Sequence, residues 1–529
     1  METKKPRLAS VSTIKKDPVS NTLPNEIVSL ILAFLDPGSD RETIKFISLV
    51  ARCWKDAAQA RLFSRVDVDN NQECVFWSQK FTDFPHLARH VKHLWLSDDE
   101  EDSANGPYLR DPAGKTLVSS LPCVLRLELT EVTQWGPVEM ELIKGFGSTV
   151  RHLTLEGIPQ MDPVKDLLEL VYAFPMIEVL DLGGLGPDYK EEELDQIRAR
   201  GLEMRSVLPA DGKPRKLREL FLFDVGFSLD HLLWLSGPAF NLSGLRNLTL
   251  YWDPFHSLES YEFNVLDDFI RLVGGNVTNL TFELLGAQTE YHSIRWPGER
   301  LADPGDLVIE HLITSPILRN FTALETLTFT PFEDPDNPVD SCNHPIYVSN
   351  AEHLLQAMSG TASHLKKVIF KGRFLKNTPQ LCGAVGITSY LFEKLLSSNQ
   401  AFPSLQDVEI HLTVHPFTYR DIRLPTWNEF AESILTTSLM RTLYTRRVKL
   451  VLIDHEEEER LPTPNEGGFL QLDSDQVSAI ESMKNCQVIR VNVSLESLLA
   501  RRAAEEEDES DGEEQGDDGE EAQSDGEDP

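Results

Sequence analysis

Three histidines are the closest approach in this chain to a metal-binding motif. His86, His90 and His93 are four and three residues apart, a spacing that would put them on one face of a helix. Imidazole nitrogens are good zinc ligands. Arg89 and Lys92 lie between the histidines and would repel a cation, and no cysteine or carboxylate nearby completes a ligand set. The sequence therefore predicts no metal site here.

The chain has two carboxylate runs and lacks the common catalytic motifs. The runs 98–102 and 456–459 lack the alternating ligands and the glycine of a calcium loop, so they are interpreted as solvated loops. The chain contains no G-x-S-x-G, no G-x-x-x-x-G-K-[ST] and no H-E-x-x-H. We therefore expect a protein that is not an enzyme and that carries no cofactor.

Cysteine usage and hydropathy indicate the compartment. The six cysteines are scattered, with no C-x-x-C pair, which is typical of reduced thiols in a nuclear or cytosolic protein; they are Cys53, Cys74, Cys123, Cys342, Cys382 and Cys486. No apolar run approaches the roughly 18–20 residues that cross a bilayer, and residues 1–20 lack the apolar segment of a secretory signal. The predicted location is the nucleus, the cytoplasm or both, without membrane contact.

The charge distribution indicates which partners suit the chain. The net charge is −35, and residues 505–529 contain fifteen Asp or Glu and no Lys or Arg. Direct nucleic-acid binding is not expected, because it requires a basic face. Residues 501–529 are predicted to be an acidic disordered tail, and residues 1–20 a basic flexible tail. Within the latter, Lys4–Arg7 is either a nuclear import signal or a solvated cluster.

One pattern, apolar-x-x-apolar-x-apolar, recurs through the middle of the chain and ends each time in the two-residue period of a strand. Its twelve occurrences, two of them weaker, begin at Val91, Val124, Val150, Ile177, Leu217, Leu245, Val277, Leu324, Leu365, Leu405, Val448 and Val488. Helix-like segments lie between them, at 162–174, 261–273, 350–358, 388–396, 427–444 and 475–483. The predicted fold is thus α/β, with a strand–helix repeat over residues 65–500.

This alternation resembles a leucine-rich-repeat solenoid. The chain departs from that family in its unit spacing, roughly 26 to over 40 residues against about 20–29. It also departs at the ninth position, often Asn or Cys in the family, which is here Val132, Ile158, Leu185, Val225 or Asp253. The asparagine ladder of the family is therefore missing, and an irregular, strongly curved solenoid is expected. An ordinary α/β domain with parallel strands is the alternative.

The N-terminal segment predicts short helices. Pro24 suits a first helical turn, and Glu26 is favourable there because of the helix dipole. Apolar residues follow with helical spacing and predict one apolar face, namely Ile27, Leu30, Ile31, Phe34 and Leu35. Ser39 and Glu42 form a capping box for a second helix. A unit this small carries more apolar surface than it can bury.

The order Leu23-Pro24-x-Glu26-Ile27, followed by Leu49-Val50-x-x-x-Trp54, resembles an F-box over residues 21–64. Ala51-Arg52-Cys53 replaces the more usual Cys-x-x before the tryptophan. The resemblance implies three helices that dock on the Skp-family adaptor of a cullin–RING ubiquitin ligase. The residues expected to form the adaptor-facing and internal apolar surface are Leu23, Pro24, Ile27, Ile31, Leu35, Leu49, Val50 and Trp54. The alternative is a helical cap on a larger domain.

A second surface is predicted from the repeats. Phe221, Phe223, Tyr251 and Trp252 lie between or just after the core apolar residues of adjacent strands, and they are expected to form one aromatic patch on the concave face. Aromatic side chains commonly anchor protein–protein interfaces. The alternative is that a loop such as 254–259 covers them.

Two functions fit these observations. The first is substrate recognition in a Skp–cullin–F-box ubiquitin ligase, in which the solenoid holds an unknown substrate protein near the charged enzyme. The second is an acidic-tailed leucine-rich-repeat nuclear protein that binds basic partners such as histones, without a ligase role. Either function works by binding alone.

Overall fold

The computed structural model describes residues 25–35, 41–50, 52–97, 108–132, 135–158, 161, 163–185, 194–223, 229–252, 263–284, 311–331, 345–375, 390–415, 442, 445–454 and 486–492. The helices in these ranges are α1 (Asn25–Ala33), α2 (Arg41–Val50), α3 (Arg52–Leu62), α4 (Asn71–Asp83), α5 (Pro85–Ala88), α6 (Pro112–Ser120), α7 (Pro137–Lys144), α8 (Leu168–Tyr172), α9 (Leu194–Ser206), α10 (Leu229–Leu235), α11 (Phe263–Val273), α12 (Pro345–Met358) and α13 (Tyr390–Ser397). A π-helical turn, Pro163–Leu167, precedes α8.

The strands of the described ranges are β1 (Arg65–Val68), β2 (His93–Ser97), β3 (Arg126–Thr130), β4 (His152–Ile158), β5 (Val179–Leu185), β6 (Arg215–Lys216), β7 (Glu219–Phe223), β8 (Phe240–Asn241), β9 (Asn247–Trp252), β10 (Asn279–Leu284), β11 (Thr326–Pro331), β12 (Lys367–Leu375), β13 (Asp407–His415), β14 (Arg447–Asp454) and β15 (Cys486–Asn492). Thirteen of these form one sheet, and β6 and β8 form a separate parallel pair.

The large sheet is parallel throughout, and its strands follow one another in chain order. A doubly wound sheet reverses its strand order at a switch point, whereas this sheet does not. The described part of the chain is therefore a strand–helix solenoid, and the ordinary α/β alternative does not fit its strand order. The unit length varies from 26 residues between the paired Arg126 and His152 to 47 between the paired Asn279 and Thr326.

All twelve repeat patterns of the sequence form strands, and four of the predicted helical segments contain helices. The segments 427–444 and 475–483, the C-terminal tail and residues 1–20 lie wholly or almost wholly outside the described residues. Three strands fall outside the repeat pattern of the sequence: β1 and the two-residue strands β6 and β8. Phe63, Val66 and Val68 repeat the same apolar spacing, and Phe63 packs against the main core. The first repeat thus begins inside the range 21–64 that was predicted to be the helical module.

Two columns of apolar side chains fill the core. The second and fourth residues of successive strands, such as Leu248 and Leu250, stack in register and are almost fully buried. Because side chains alternate along a strand, these columns share one face of the sheet, and the helices pack against that face. Phe282, Phe329 and Phe370 extend one column as stacked rings, with centroids 6.2 and 5.3 Å apart.

A row of main-chain hydrogen bonds between successive turns, which we call the backbone rail, sets the register of the strands. Ten successive carbonyl oxygens, each on the residue directly before a strand, accept two N–H groups from the next turn at 2.7–3.2 Å. The carbonyl of Arg218, for example, accepts from the amides of Arg246 and Asn247. The ninth-position residues Val132 and Ile158 are buried in the core instead of tying turns together. Main-chain bonds thus join the turns where the leucine-rich-repeat family uses asparagine side chains.

Buried arginines add side-chain donors to this backbone scaffold. Arg446, just before β14, donates from Nε to the carbonyl of Leu396 at 3.0 Å and from Nη2 to that of Phe402 at 3.1 Å. Its Nη1 donates to the carbonyl of Leu405. A guanidinium offers five donors in a fixed fork, so one side chain satisfies three backbone acceptors that come from the preceding turn.

We expect Phe329→Ala to lower stability sharply, since Phe329 is fully buried between two stacked rings. Truncating a buried Phe commonly costs about 3–5 kcal/mol. The matched control is Leu272→Ala on α11, where half of the side chain is exposed, and there we expect less than about 1 kcal/mol. The check is the free energy of unfolding in urea; equal losses for the two variants would contradict the assigned core.

A pH-dependent contribution to stability is expected at the start of α4. Asn70 caps this helix, and the Glu73 carboxylate accepts the Asp69 backbone N–H at 3.3 Å. Partial burial, together with the charge of Asp69, raises the pKa of Glu73 from 4.5 to about 7. Because the folded-state pKa is the higher one, this contribution is fully present below about pH 4.5 and is lost as the pH rises through about 7.

Glu73→Gln should therefore stabilise the protein more at pH 8 than at pH 5.5, because glutamine keeps an acceptor for the Asp69 amide without ionising. The melting temperatures of variant and wild type, measured side by side at both pH values, give the result. A difference between the two proteins that stays constant with pH would show that Glu73 ionises without strain in the fold.

Candidate functional site

The first candidate surface lies on the N-terminal helices. Helices α1, α2 and α3 enclose a small core of their own, separate from the main core, made by Val28, Leu32, Ile44 and Ala58. Arg61 on α3 donates from Nε to the carbonyl of Leu35 at 2.9 Å and so closes the end of α1. Phe63, directly after α3, meets Trp77 edge to face at 6.3 Å. These contacts join the helical module to the first turn of the solenoid.

Much of the apolar content of these helices is exposed. The side chains involved are Ile27, Leu30 and Ile31 on α1, Phe34 directly after it, and Phe46 and Leu49 on α2. Phe34 is 89% exposed and Leu49 80% exposed. Single exposed apolar residues are common, but six on and beside two short helices that both pack on α3 are a concentration typical of a protein-docking surface. We call these six residues the helical patch.

The predicted adaptor-facing residues divide between this patch and the small core. Ile27, Ile31 and Leu49 belong to the helical patch, whereas Leu35 and Trp54 are partly buried against the small core. Leu23 and Pro24 lie outside the described residues, and Val50 ends α2 with its side chain outside the description.

The single apolar face predicted for α1 is corrected by the structure. The face turned to the core is Val28, Leu32 and Leu35, and the rest of the predicted stripe faces outward. Helix α1 is therefore apolar on two sides, and periodicity alone could not say which side the small core covers. Sequence reasoning also missed Phe46, which follows Lys45 on α2 and is 68% exposed.

The second candidate surface is the sheet face opposite the helices, which we call the polar face. It carries the first, third and fifth residues of each strand, because these alternate with the buried columns. Three histidine–carboxylate pairs lie on it. The imidazole Nε2 of His93 is 2.7 Å from Glu128 Oε2, that of His152 is 2.7 Å from Asp181 Oδ2, and that of His411 is 3.0 Å from Glu409 Oε2.

Cations hold two of these carboxylates in the charged form. Burial raises the pKa of Glu128, but the hydrogen bond and charge of His93, together with Arg126, lower it by more, so the net pKa is below 4.5. Burial also raises the pKa of Glu409, and Lys367, His411 and Lys449 reverse that effect. The polar face thus keeps Glu128 and Glu409 ionised near neutral pH although both are partly buried.

The four predicted aromatic positions lie on adjacent strands, but the strand period does not put all four on one face. Phe221 is half-buried on the polar face, with Asp181 on one side in register and Thr249 on the other. Phe223 pairs with Gly183 and Tyr251 pairs with Glu283. These three positions share the parity of the polar face.

Trp252 is the exception in this set. It pairs with Leu284, and its position has the parity of the buried Leu248 and Leu250. The single continuous patch predicted from the sequence therefore needs correcting: the register assigns Phe221, Phe223 and Tyr251 to the polar face and leaves Trp252 out. Whether the three bind a substrate stays a prediction.

A cavity of about 560 Å³ on the helix side was not anticipated from the sequence. It lies between α8 and the segment 207–215 that follows α9, and its lining is mostly apolar. The Tyr172 hydroxyl, at its edge, donates to the Val207 carbonyl at 3.0 Å and accepts from Trp234 Nε1 at 2.9 Å. No motif marks this cavity, because its walls come from two different turns.

The three histidines considered for a metal do not share a helix. His86 lies in α5, which ends at Ala88, His90 follows in a turn, and His93 begins β2. Because the helix ends at Ala88 and a strand begins at His93, the three histidines cannot lie on one helix face. Among the described residues no three His, Cys, Asp or Glu side chains are grouped as metal ligands. Cys74 is a buried free thiol whose pKa is raised to about 12, chiefly by burial.

Comparisons with known proteins find similar chains among the solved structures only. No protein-family model and no curated protein matches the chain. Among solved structures, the leucine-rich-repeat-containing protein LegL7 from Legionella pneumophila is similar over 71% of this chain and 97% of its own, at 16% identity and a TM-score of 0.38. No described helix has the length and apolar character that a membrane span requires.

The register predicts that Trp252 and Phe221 respond differently to truncation. Trp252→Ala should lower the free energy of unfolding by about 3–5 kcal/mol, as for a core aromatic. Phe221→Ala should cost clearly less, because its side chain is only half-buried. Urea unfolding of both variants beside Leu250→Ala tests this. A loss for Phe221→Ala as large as that for Leu250→Ala would place Phe221 in a core.

Proposed function

We propose that this chain is the substrate-recognition subunit of a Skp–cullin–F-box ubiquitin ligase and has no catalysis of its own. In this proposal residues 21–64 are an F-box that docks on the Skp-family adaptor through the helical patch. The solenoid is of the leucine-rich-repeat kind and holds a substrate protein on its polar face. The chain acts in the nucleus, the cytoplasm or both.

The helical patch is the observation that carries this proposal. A module of about 40 residues buries little surface, and this one leaves six large apolar side chains outside its small core. A monomer gains nothing from exposing side chains as large as Phe34 and Leu49 to water. An apolar partner surface that covers them would gain roughly 25 cal/mol for each Å² of apolar area buried. The order Leu-Pro-x-Glu-Ile followed by Leu-Val-x-x-x-Trp resembles an F-box, and this resemblance is our reason for proposing the Skp-family adaptor as the partner that covers the helical patch.

The proposed mechanism is proximity. The helical module and the solenoid are joined without a linker, since α3 ends at Leu62, Phe63 packs in the main core and β1 begins at Arg65. A substrate held on the solenoid would therefore keep a restricted range of positions relative to the adaptor. Such tethering raises the effective concentration of substrate lysines near the ubiquitin-charged enzyme and orients them.

A second candidate function rests on the acidic composition. A net charge of −35, with fifteen carboxylates in residues 505–529, suits a nuclear protein that binds histones or other basic partners as a chaperone does. In that case the helical patch would have a different partner, and no ligase subunits would join the complex.

The variant Phe34→Asp/Leu49→Asp tests the proposal. Two buried interface anchors typically contribute 2 kcal/mol or more each, so we expect adaptor affinity to fall about 100-fold or more. The melting temperature should stay near the wild-type value, because both side chains are largely exposed. Isothermal titration of the purified full-length chain with a purified Skp-family adaptor measures the change.

Leu202→Asp on α9 is the matched control, since Leu202 is also an exposed leucine, 50% exposed, and lies outside the helical module. It should bind the adaptor as the wild type does. If the wild-type chain does not bind the adaptor but does bind core histones, the second function replaces the first.

A further inference from the structure

The polar face carries an excess of positive charge where β12, β13 and β14 lie side by side. Strand β13 contributes Asp407, Glu409 and His411 to this face, at positions that alternate with its buried residues. The strands on either side of it contribute four cations, namely Lys367, Lys371, Arg447 and Lys449. Among the described side chains of these three strands, four Lys or Arg thus face two carboxylates. We call the four cations the basic patch.

The cations of the basic patch converge on the middle strand and still reach the solvent. Glu409 Oε1 is 2.9 Å from Lys367 Nζ and 3.6 Å from Lys449 Nζ, and Arg447 Nε is 2.7 Å from Asp407 Oδ1. Each carboxylate is therefore neutralised by its neighbours. The two lysine side chains stay one-third exposed and that of Arg447 65% exposed. Since an ammonium has three donors and a guanidinium five, these groups can pair with a further anion from the solvent side.

The part of the polar face nearer the N-terminus has the opposite charge. Among their described side chains, strands β3, β4, β5 and β7 contribute one cation, Arg126, and four carboxylates to it, namely Glu128, Glu156, Asp181 and Glu219. An acidic ligand is repelled from that part and attracted to the basic patch. Charge therefore selects the end of the polar face that an acidic ligand occupies.

An acidic ligand is present in the chain itself. Residues 505–529 contain fifteen Asp or Glu and no Lys or Arg. Strand β15 lies beside β14 in the sheet, and its residue Gln487 pairs with Lys449. The level of Lys449 is thus five residues back from Asn492, the last residue of β15, or about 17 Å along the strand. Twelve residues, 493–504, lead on to residue 505, and a flexible linker of that length spans about 20 Å.

We propose that residues 505–529 bind intramolecularly to the basic patch and so cover the C-terminal end of the polar face. This inference does not depend on the ligase role. The carboxylates pair with the exposed parts of the four cations, and several exchanging ion pairs suffice. Because the linker length matches the span, the effective concentration of the segment at the patch is about millimolar. Contacts that are weak between separate molecules therefore keep the patch occupied.

Other anionic ligands fit the chain less well. Nucleic acid is repelled by the net charge of −35 and requires a broad basic face. An acidic segment of a partner protein has the same chemistry, but it competes with a segment that is held at the patch by its linker. The contact is thus autoinhibitory toward acidic partners, while the acidic part of the polar face stays open to basic ones.

The test compares two full-length proteins. In the amide variant all fifteen Asp and Glu of residues 505–529 are replaced by Asn and Gln, which leaves every described residue unchanged. A fluorescent synthetic peptide of residues 505–529 is titrated with each protein at low salt, and its anisotropy gives Kd. With a Kd of about 0.1 mM and an effective concentration of about 1 mM, the wild-type patch is about 90% occupied, so the amide variant should bind the peptide about tenfold more tightly.

Two further variants in the amide background locate the binding site. Lys371→Gln/Lys449→Gln leaves no net positive charge in the patch, and we expect peptide affinity to fall at least about fivefold. Glu409 keeps Lys367 and His411, so the melting temperature should stay near that of the amide variant. Lys371→Gln alone, at an exposed lysine, should weaken binding in the same direction.

Lys394→Gln in the amide background is the matched control. Lys394 is an exposed lysine of α13, which connects β12 to β13 and packs on the opposite face of the sheet. This variant should bind the peptide as the amide variant does. High salt should weaken the binding in every case, because the contact is made of exposed ion pairs.

Three results would overturn the proposal. Equal affinity of the wild type and the amide variant would show that the acidic segment does not occupy the patch, and would leave it to an acidic partner. Absence of peptide binding to the amide variant, or binding that both lysine substitutions leave unchanged, would show that the patch is not the site. No Skp-family adaptor takes part in these titrations, so their failure and that of the adaptor titration are separate results.

Discussion

The bifurcated backbone bond between successive turns is the interaction on which the whole solenoid depends. One carbonyl just before each strand accepts two amide N–H groups of the next turn, and this recurs ten times. The bonds fix where each strand begins relative to its neighbour. Because the side-chain period of a strand is two, a slip of one residue would move every core leucine to the opposite face. Repeats that differ in length by about twenty residues can still stack in register because the rail uses only main-chain atoms.

Both faces of the sheet follow from this fixed register. On one face leucines and phenylalanines stack in continuous columns, which supply the burial that no single repeat could supply alone. On the other face the same register brings His93 beside Glu128, His152 beside Asp181 and Lys367 beside Glu409. Each of these polar contacts joins residues 29 to 42 positions apart, so they exist only because the turns stack. The contacts of the polar face therefore depend on the main-chain hydrogen bonds that fix the register of the strands.

The two candidate surfaces differ in physical character and so in the partners they suit. The helical patch is apolar and gains most from a partner that removes it from water, because the described part of its module buries few side chains, four of them fully. The polar face is built of paired charges and half-buried aromatics, which favour selectivity over bulk affinity. An arrangement in which an apolar module provides a constant attachment and a charged face provides recognition is what the proposed adaptor role requires.

Much of the local structure could be predicted from the sequence, because it depends on short-range periodicity. Apolar spacing located all twelve repeat strands and showed that strands and helices alternate. It missed β1 because the helical module was taken to extend over Phe63, and it missed the two-residue strands β6 and β8, which carry no repeat pattern. What the sequence could not decide was which of two apolar sides of α1 the small core would cover, since that depends on how α3 packs.

The site itself was decided largely by the tertiary structure. Because side chains alternate between the two faces of a strand, the sequence of β9 alone puts Tyr251 and Trp252 on opposite faces. The pairing of Asp181 with Phe221 and Thr154, in contrast, depends on the stacking of three turns of unequal length. The convergence of Lys367 and Lys449 on Glu409 and the cavity beside Tyr172 leave no mark in the sequence for the same reason. Sequence periodicity by itself determined the elements and their inward faces, because those depend on neighbours along the chain. Only the tertiary structure decided which polar groups meet, because hydrogen bonds and ion pairs between turns require a register that no single repeat contains.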